Sequence, residues 1–415
     1  MRTVFKLMII VSIIATNCGC SLSSSGRAEL LNNTKTHDKK ELTLLVYMAA
    51  DNDLESHALR NLKAMEHAEF SGMNVLVLFD RSQEYDETND NWADTRLFEV
   101  SHDNTNGSSI ISKRLACPPL GLTQDSATEL DMGNYNVLKT FVEFVRTNYP
   151  SEHYALIMWG HGTGWRSASR AVAIDDKSNS YICVHELGLA LKDQQLDVIG
   201  FDTCFGSVFE NLYELKDCAR YIAACPGLTP ASGWDYKKLL EGLAGINLQP
   251  KEIASRMAQS SPQKITITEC SELSKIMTQL EDFSKALADT IIDEDSRRQV
   301  LETLLNTKSY CYTQYPSDLY IDIFSMAQAF TTSAEASVAA KAHQLAEVTS
   351  SCETGIFLIP KISQGALAPV HSQAYIKNQA DTTQCTFIKE SRWWVPSPNG
   401  DSGSLLDKLF YTVFQ

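Results

Sequence analysis

Two residues could do nucleophilic chemistry, and each stands at the end of a short apolar run. Tyr154-Ala-Leu-Ile-Met-Trp-Gly-His-Gly162 stops at His161, which is flanked by Gly160 and Gly162. Asp197-Val-Ile-Gly-Phe-Asp-Thr-Cys204 stops at Cys204, with Gly206 just beyond. Continuous apolar runs bounded by glycine predict strands buried on both faces, as in a parallel sheet. Sites in open α/β sheets form beyond the carboxyl ends of such strands. An imidazole and a thiol delivered to adjacent strand ends make a Cys–His nucleophilic pair. The thiol must ionise to attack a carbonyl, and a helix expected to start just after Cys204 would favour the thiolate through its N-terminal amides. His161 would take the thiol proton and return it to the leaving amine. Asp202 precedes Cys204 by two, so on a strand it shares that face. There its carboxylate would meet a Lys or Arg side chain of a substrate, or else cap the following helix.

The elements that must position these residues are legible on either side. Leu42–Met48 is a strand, Leu54–Glu66 a helix with Leu54, Ala58, Leu62 and Met65 on one stripe, and Asn74–Phe79 a second strand. This is a β-α-β unit. Arg96–Val100 reads as a strand in an antiparallel excursion, and Asn134–Thr147 as the helix leading into the histidine strand. Ala171–Ile174 is a short strand, Asp175–Ser180 a loop, and Val184–Lys192 a helix before the cysteine strand. A helix over about 207–216 follows, and then the apolar run Arg220–Cys225. Beyond about residue 250 helical patterns dominate at Lys251–Ser260, Cys270–Ile292 and Arg297–Leu305, with strand-like pieces at Lys264–Thr268, Gly355–Ile359 and Gln384–Ile388. The expected class is α/β, a mostly parallel sheet flanked by helices over 41–250, with an α+β part over 251–415 packed on it.

Composition narrows the function. The 415 residues are 44% hydrophobic, enough for a large core, and the net charge of −15 argues against nucleic-acid binding. Arg2 and Lys6 precede the apolar run Leu7–Ala15, which has the layout of a signal peptide, and Cys20 after Gly19 resembles a lipoprotein cleavage and lipidation site. Residues 1–20 are therefore expected to be a signal peptide and 21–40 a flexible tether. The product is expected to be an exported, monomeric protein anchored to a bacterial membrane, on its periplasmic or outer face. The remaining cysteines have no metal-binding spacing, so no zinc site is expected and most should be small buried apolar residues.

Four pieces together resemble the clostripain family of cysteine peptidases, relatives of caspases, gingipains, legumains and separases. They are Leu45-Val-Tyr-Met-Ala-Ala-Asp-Asn-Asp-Leu-Glu55, Trp159-Gly-His-Gly-Thr-Gly-Trp165, Gly200-Phe-Asp-Thr-Cys204 and Gly233-Trp-Asp-Tyr236, in that order over roughly 42–240. Weaker echoes lie at Leu319–Ile323 and Gly355–Pro360. The resemblance implies a caspase-like domain, a His161–Cys204 dyad without a required third member, and cleavage of protein or peptide substrates after basic residues. It also implies an oxyanion hole made by the N–H groups of Gly162 and Cys204, with Asp202 as the acidic specificity residue. Trp234 and Asp235 are further candidates for substrate binding, although Trp165 and Trp234, which could line the groove, suit packing equally well. Relatives are often matured by cleavage between the two strands, so Lys177 or Arg170 is an expected self-processing position. Some relatives use calcium, but no cofactor is expected here, since Asp51, Asp53 and Asp80 look too scattered to specify a site.

The chain departs from the family in one segment. Where the family carries an acidic run before Gly-Trp-Asp-Tyr, this sequence has Cys225-Pro-Gly-Leu-Thr-Pro-Ala-Ser232. Loss of those acids leaves open a peptidase with non-basic specificity. A surface-anchored binding lipoprotein without activity is the remaining alternative.

Overall fold

The structure is a computed structural model that describes residues 37–105, 107–164, 172–245, 247–311, 317–361, 385–393 and 404–410. Cys20, Trp165 and Arg170, singled out above, lie outside the described residues.

An eight-stranded sheet organises the molecule, in the order β10-β9-β8-β5-β1-β2-β3-β4. Its strands are β1 (Lys40–Ala50), β2 (Met73–Arg81), β3 (Thr95–Glu99), β4 (Lys113–Leu115), β5 (Ser151–Trp159), β8 (Leu196–Asp202), β9 (Ala219–Ala224) and β10 (Thr266–Glu269). β9, β8, β5, β1 and β2 run parallel, and β10, β3 and β4 continue the edges antiparallel. A small hairpin of β6 (Val172–Asp175) and β7 (Ser180–Ile182) follows the histidine loop.

The buried runs work as read. β1 sends Leu45, Tyr47 and Ala49 to one apolar cluster and Leu44, Val46 and Met48 to the other, which is the period of two of a strand covered on both faces. Helices α1 (Glu55–Glu66), α5 (Tyr236–Leu243) and α6 (Pro250–Ser260) cover one face through Ala58, Leu62, Leu240 and Met257. Helices α2 (Tyr135–Asn148), α3 (Val184–Leu191) and α4 (Phe209–Glu214) cover the other through Phe141, Val145, Leu187 and Leu212. Burial of such a Leu, Val or Phe side chain stabilises by roughly 1.5–3 kcal/mol.

The later part adds α7 (Leu273–Asp289), α8 (Glu294–Leu305), α9 (Ile323–Phe330), α10 (Ala336–Thr349), α11 (Thr386–Glu390), α12 (Leu405–Phe410) and a second sheet of β11 (Ser309–Tyr310), β12 (Ser317–Asp322) and β13 (Gly355–Lys361). It is not partitioned at residue 250. β10 joins the first sheet, and one apolar cluster runs from Leu45 to Phe410. Two local expectations are corrected. The segment after Cys204 becomes helical only at Phe209 and for six residues. The strand-like piece at 384–388 is helical from Thr386, because Phe387 packs edge-on against Phe209 and Tyr213.

Candidate active site

β1 is the strand where the chain's direction across the sheet reverses. β2 lies on one side of it, and β5, β8 and β9 follow on the other. A crevice forms outside the carboxyl ends at such a switch point. Its registry is specific. In the parallel β5–β8 pair, Trp159 stands opposite Asp202. His161 and Cys204 are each two residues past that pair, and both line one cavity of about 450 Å³. A larger concavity of about 1020 Å³ lies at the opposite strand ends, around Ser151 and Leu196, and contains neither residue. Chemistry therefore assigns the site to the smaller cavity.

The glycines of the histidine loop allow close approach. Gly160 has φ +137°, and a Cβ there would lie 2.9 Å from the Ala49 carbonyl oxygen. A Cβ on Gly162 would lie 2.4 Å from the Cys204 carbonyl oxygen and 2.8 Å from Thr203. The backbones of Gly162 and Cys204, the two expected oxyanion donors, are thus in contact.

His161 is partly exposed, and its Nε2 lies 2.6 Å from Oδ1 of Asp53, in the turn after β1. The sequence reading missed this partner, since 108 residues separate the two. The available signal was the position of Asp53 just past the carboxyl end of a strand that neighbours β5. A carboxylate on Nε2 fixes Nδ1 as the ring's basic nitrogen.

Cys204 is half-buried. Its Sγ accepts from the backbone N–H of Thr229 at 3.2 Å, while the Thr229 hydroxyl donates to the Thr203 carbonyl at 3.0 Å. Phe205, in a left-handed conformation at φ +55°, and Ser207 bond the backbone at Gly227 and Cys225. The expected helix dipole behind the thiol is therefore replaced by one fixed amide, because the chain must turn sharply before α4 begins.

Asp202 is buried and lines the same cavity. Oδ2 accepts from the Trp234 amide and the Tyr236 hydroxyl, both at 3.0 Å, and Oδ1 has no hydrogen-bond partner among the described residues. Burial pushes its carboxyl up to about 7, against the lowering by those two donors. It does not cap α4.

Two expected substrate contacts are relocated. Trp234 is 1% exposed and packs beneath β8, where a Cβ on Gly200 would touch its ring. It reaches the site only through its backbone N–H. Asp235 caps α5, its carboxylate accepting from the Lys238 amide at 3.0 Å. Neither lines the cavity, whose far wall is Leu228, Thr229, Pro230, Ala231 and Gly233. Lys177 lies in the turn between β6 and β7 with Nζ 2.9 Å from Glu129.

The later elements also support the site. The Tyr320 hydroxyl donates to the Thr163 carbonyl at 3.2 Å, and its ring lies tilted against Phe205 with centroids 5.5 Å apart. Thr354 Oγ1 and the Gly355 amide donate to the Ser207 carbonyl. His153 and His185 are held by Asp197 and Glu214, away from the cavity. Among the described residues six of the nine cysteines are buried, and no helix is long and apolar enough to cross a membrane.

The sequence model of the clostripain family matches residues 46–384. Clostripain of Hathewaya histolytica is 26% identical over 236 residues, which cover 51% of this chain and 44% of that protein, so the match spans under half of that relative's length. An inactive zymogen C11 protease from Parabacteroides distasonis superposes with a TM-score of 0.56 at 16% identity, over 84% of this chain and 99% of that one. A secreted C11 cysteine protease from Bacteroides thetaiotaomicron, solved with an irreversible peptide inhibitor, superposes at 0.55 and 16% identity, over 83% and 99%. The mostly parallel sheet with its helical layers is the fold of these proteases, and with its family match running over most of its length the chain belongs to the clostripain family.

Proposed function

We propose that this protein is a cysteine endopeptidase that cuts after Lys or Arg. The observation that carries the reading is the registry: His161 and Cys204 extend two residues past one paired position, into a cavity that also holds the unpartnered oxygen of Asp202. His161 takes the Cys204 proton, and the sulfur attacks the substrate carbonyl carbon. The oxyanion sits against the Gly162 and Cys204 backbone. Collapse breaks the C–N bond as His161 protonates the leaving amine. Water, deprotonated by the same imidazole, then hydrolyses the thioester and restores the thiol. Asp53 holds the ring through its Nε2–H. A Lys or Arg side chain entering the cavity offers donors to Asp202 Oδ1, the one buried acceptor it would leave unmatched otherwise.

A second reading keeps the dyad and drops the basic preference. It is favoured by the far wall, where Leu228, Pro230 and Ala231 present no charge. Short fluorogenic peptides ending in Lys, Arg, Ala or Asp separate the two. The first reading requires the Lys and Arg peptides to be cut fastest, with loss of turnover in Cys204→Ala and His161→Ala. Preference for Ala selects the second. No turnover by the parent chain with any peptide leaves the inactive binding lipoprotein.

Self-processing between the two strands, after Lys177 or Arg170, belongs to the same proposal. Lys177 is exposed in a turn between two short strands, as a processed position must be. A denaturing gel of the parent beside Cys204→Ala tests it, and one unprocessed band in both overturns it. The N-terminal reading adds export and lipid attachment at Cys20, checked by incorporation of labelled palmitate into the parent but not Cys20→Ala.

A further inference from the structure

One buried polar side chain beside the cavity is not used by the mechanism. α1 carries Asn61 on its inner side, 7% exposed, among the apolar residues Ala58, Leu62 and Met65. Asparagine is a poor residue for a helix interior, and a buried amide costs stability unless both of its ends are bonded. Both ends are. Oδ1 accepts the Trp159 Nε1–H at 2.9 Å, and Nδ2 donates to the Ser232 carbonyl at 2.9 Å. The orientation of the amide is forced, because an indole N–H only donates and a carbonyl only accepts. Asn61 therefore joins three segments: the helix after β1, the last residue of β5 two places before His161, and the wall of the cavity.

The part of the wall that it holds is a tight turn. The Gly233 amide donates to the Pro230 carbonyl at 2.9 Å, and Ser232, whose carbonyl goes to Asn61, lies inside that turn. Gly233 has φ +69°, and a Cβ there would lie 2.7 Å from Asp202 Oδ2 and 2.8 Å from Asn61 Oδ1, so the turn is seated directly on both side chains. The next amide, of Trp234, donates to Asp202. The earlier part of the wall has its own bonds, from the Phe205 amide to Gly227 and from Thr229 to Thr203 and Cys204. Leu228, Thr229, Pro230, Ala231 and Gly233 carry no charge, so the wall acts on a basic side chain through its distance from Asp202.

We infer that Asn61 is a positioning residue for specificity: through Ser232 it sets the turn 230–233 against Asp202 and fixes the space offered to the side chain before the cut. The inference rests on the basic preference proposed above. Asn61 does not itself line the cavity. Without its amide the turn loses its bond to α1 and the Trp159 N–H is left buried and unpaired. A Lys or Arg side chain then meets Asp202 Oδ1 in a pocket of variable width. The segment bonded to Cys204 keeps its own contacts, so attack by the sulfur is spared.

The test is steady-state kinetics of the parent, Asn61→Ala and Asn61→Gln on a Lys-ending and an Ala-ending peptide, with the thermal midpoint of each protein and its rate of Cys204 alkylation. Asn61→Ala should raise KM for the Lys-ending peptide about tenfold, the effect of one lost hydrogen bond to a positioned group. Its kcat, its alkylation rate and its KM for the Ala-ending peptide should stay within about twofold of the parent's, so the preference for Lys over Ala falls. Asn61→Gln carries the same amide one methylene farther out and should give an intermediate preference, which decides the matter should Asn61→Ala fold poorly. The inference is overturned if the variants keep the parent's preference. It is overturned equally if both peptides lose turnover in step, which is what a merely structural role would give. A parent with no preference for Lys over Ala removes the basic-specificity reading, and the inference with it. A parental preference that survives both substitutions removes the inference alone.

Discussion

On the proposed reading Asp202 does two opposed things with one side chain, and pH separates them. Burial holds its folded-state carboxyl at about 7 against an ordinary 3.8. The folded protein therefore favours the neutral form, and the stability this contributes is lost as pH rises from about 4 through 7. Asp202→Asn keeps both acceptor contacts, to Trp234 and Tyr236, and cannot ionise. Its unfolding free energy should gain on the parent's across that window by on the order of 3 kcal/mol, read from denaturant melts at pH 4.5 and 8. Substrate binding runs the other way. KM for a Lys-ending peptide should fall as pH rises through 7, KM for an Ala-ending peptide should stay flat, and Asp202→Asn should flatten both. A Lys-peptide KM that ignores pH would mean that Asp202 does not meet the substrate. Asp53 acts more indirectly. A surface carboxylate contributes little to stability, yet it fixes the imidazole's tautomer and direction. Asp53→Ala should lower kcat by about tenfold with KM nearly unchanged, and Asp53→Glu should recover part of it. An equal fall in kcat and rise in KM would assign Asp53 to substrate binding instead.

At the scale of elements, the long buried strands were legible because apolar runs of strand length, two of them with glycine at or just past the end, suit a strand covered on both faces. β1, β5 and β8 stand where Leu42–Met48, Tyr154–Trp159 and Asp197–Asp202 placed them, and the amphipathic stripes of α1 and α2 were equally plain. What failed depended on contacts between distant segments. The segment 384–388 follows a partner ring instead of its own strand-like pattern, and the turn after Cys204 delays α4 because Phe205 and Ser207 bond back to 225–227. Trp234 could equally have been wall or core, and the lack of a side chain at Gly200 admits it into the core. Loop glycines carry the most positional information per atom. At Gly162 even one methyl group has no room, because the neighbour at 2.4 Å is backbone and cannot rotate away. Gly162→Ala must therefore push the histidine loop off Cys204. Turnover should drop by about 100-fold or more, while the melting temperature, set by sheet and helices elsewhere, moves by only a few degrees. Retained activity would show that the two loops do not need to touch.

Across the whole molecule, the sequence's change of texture near residue 250 suggested a second part resting on the first, and the packing gives it a larger share. β10 completes the main sheet's edge, and the apolar cluster under β8 and β9 continues through Leu280, Phe283 and Leu345 to Leu409. A chain ended at residue 250 would expose that face and lose the edge strand. It should therefore form no cooperative fold, with no near-ultraviolet dichroism and no sharp melt, whereas an autonomous domain would show both. The later part also reaches the chemistry itself, through Tyr320 on Thr163 and Phe205 and through Thr354 on Ser207, so it braces the histidine and cysteine loops from one side. Removing a single bond tests the brace without unfolding anything. Tyr320→Phe keeps the ring against Phe205 and deletes only the hydroxyl bond, a loss of about 1 kcal/mol in stability. If that bond holds the histidine loop in register with Cys204, kcat should fall several-fold while KM and the rate of Cys204 alkylation change little, since the thiol's own contact with Thr229 is intact. If kcat is unchanged at the same small loss of stability, the later part is only a floor for the sheet and the two catalytic loops hold their positions unaided.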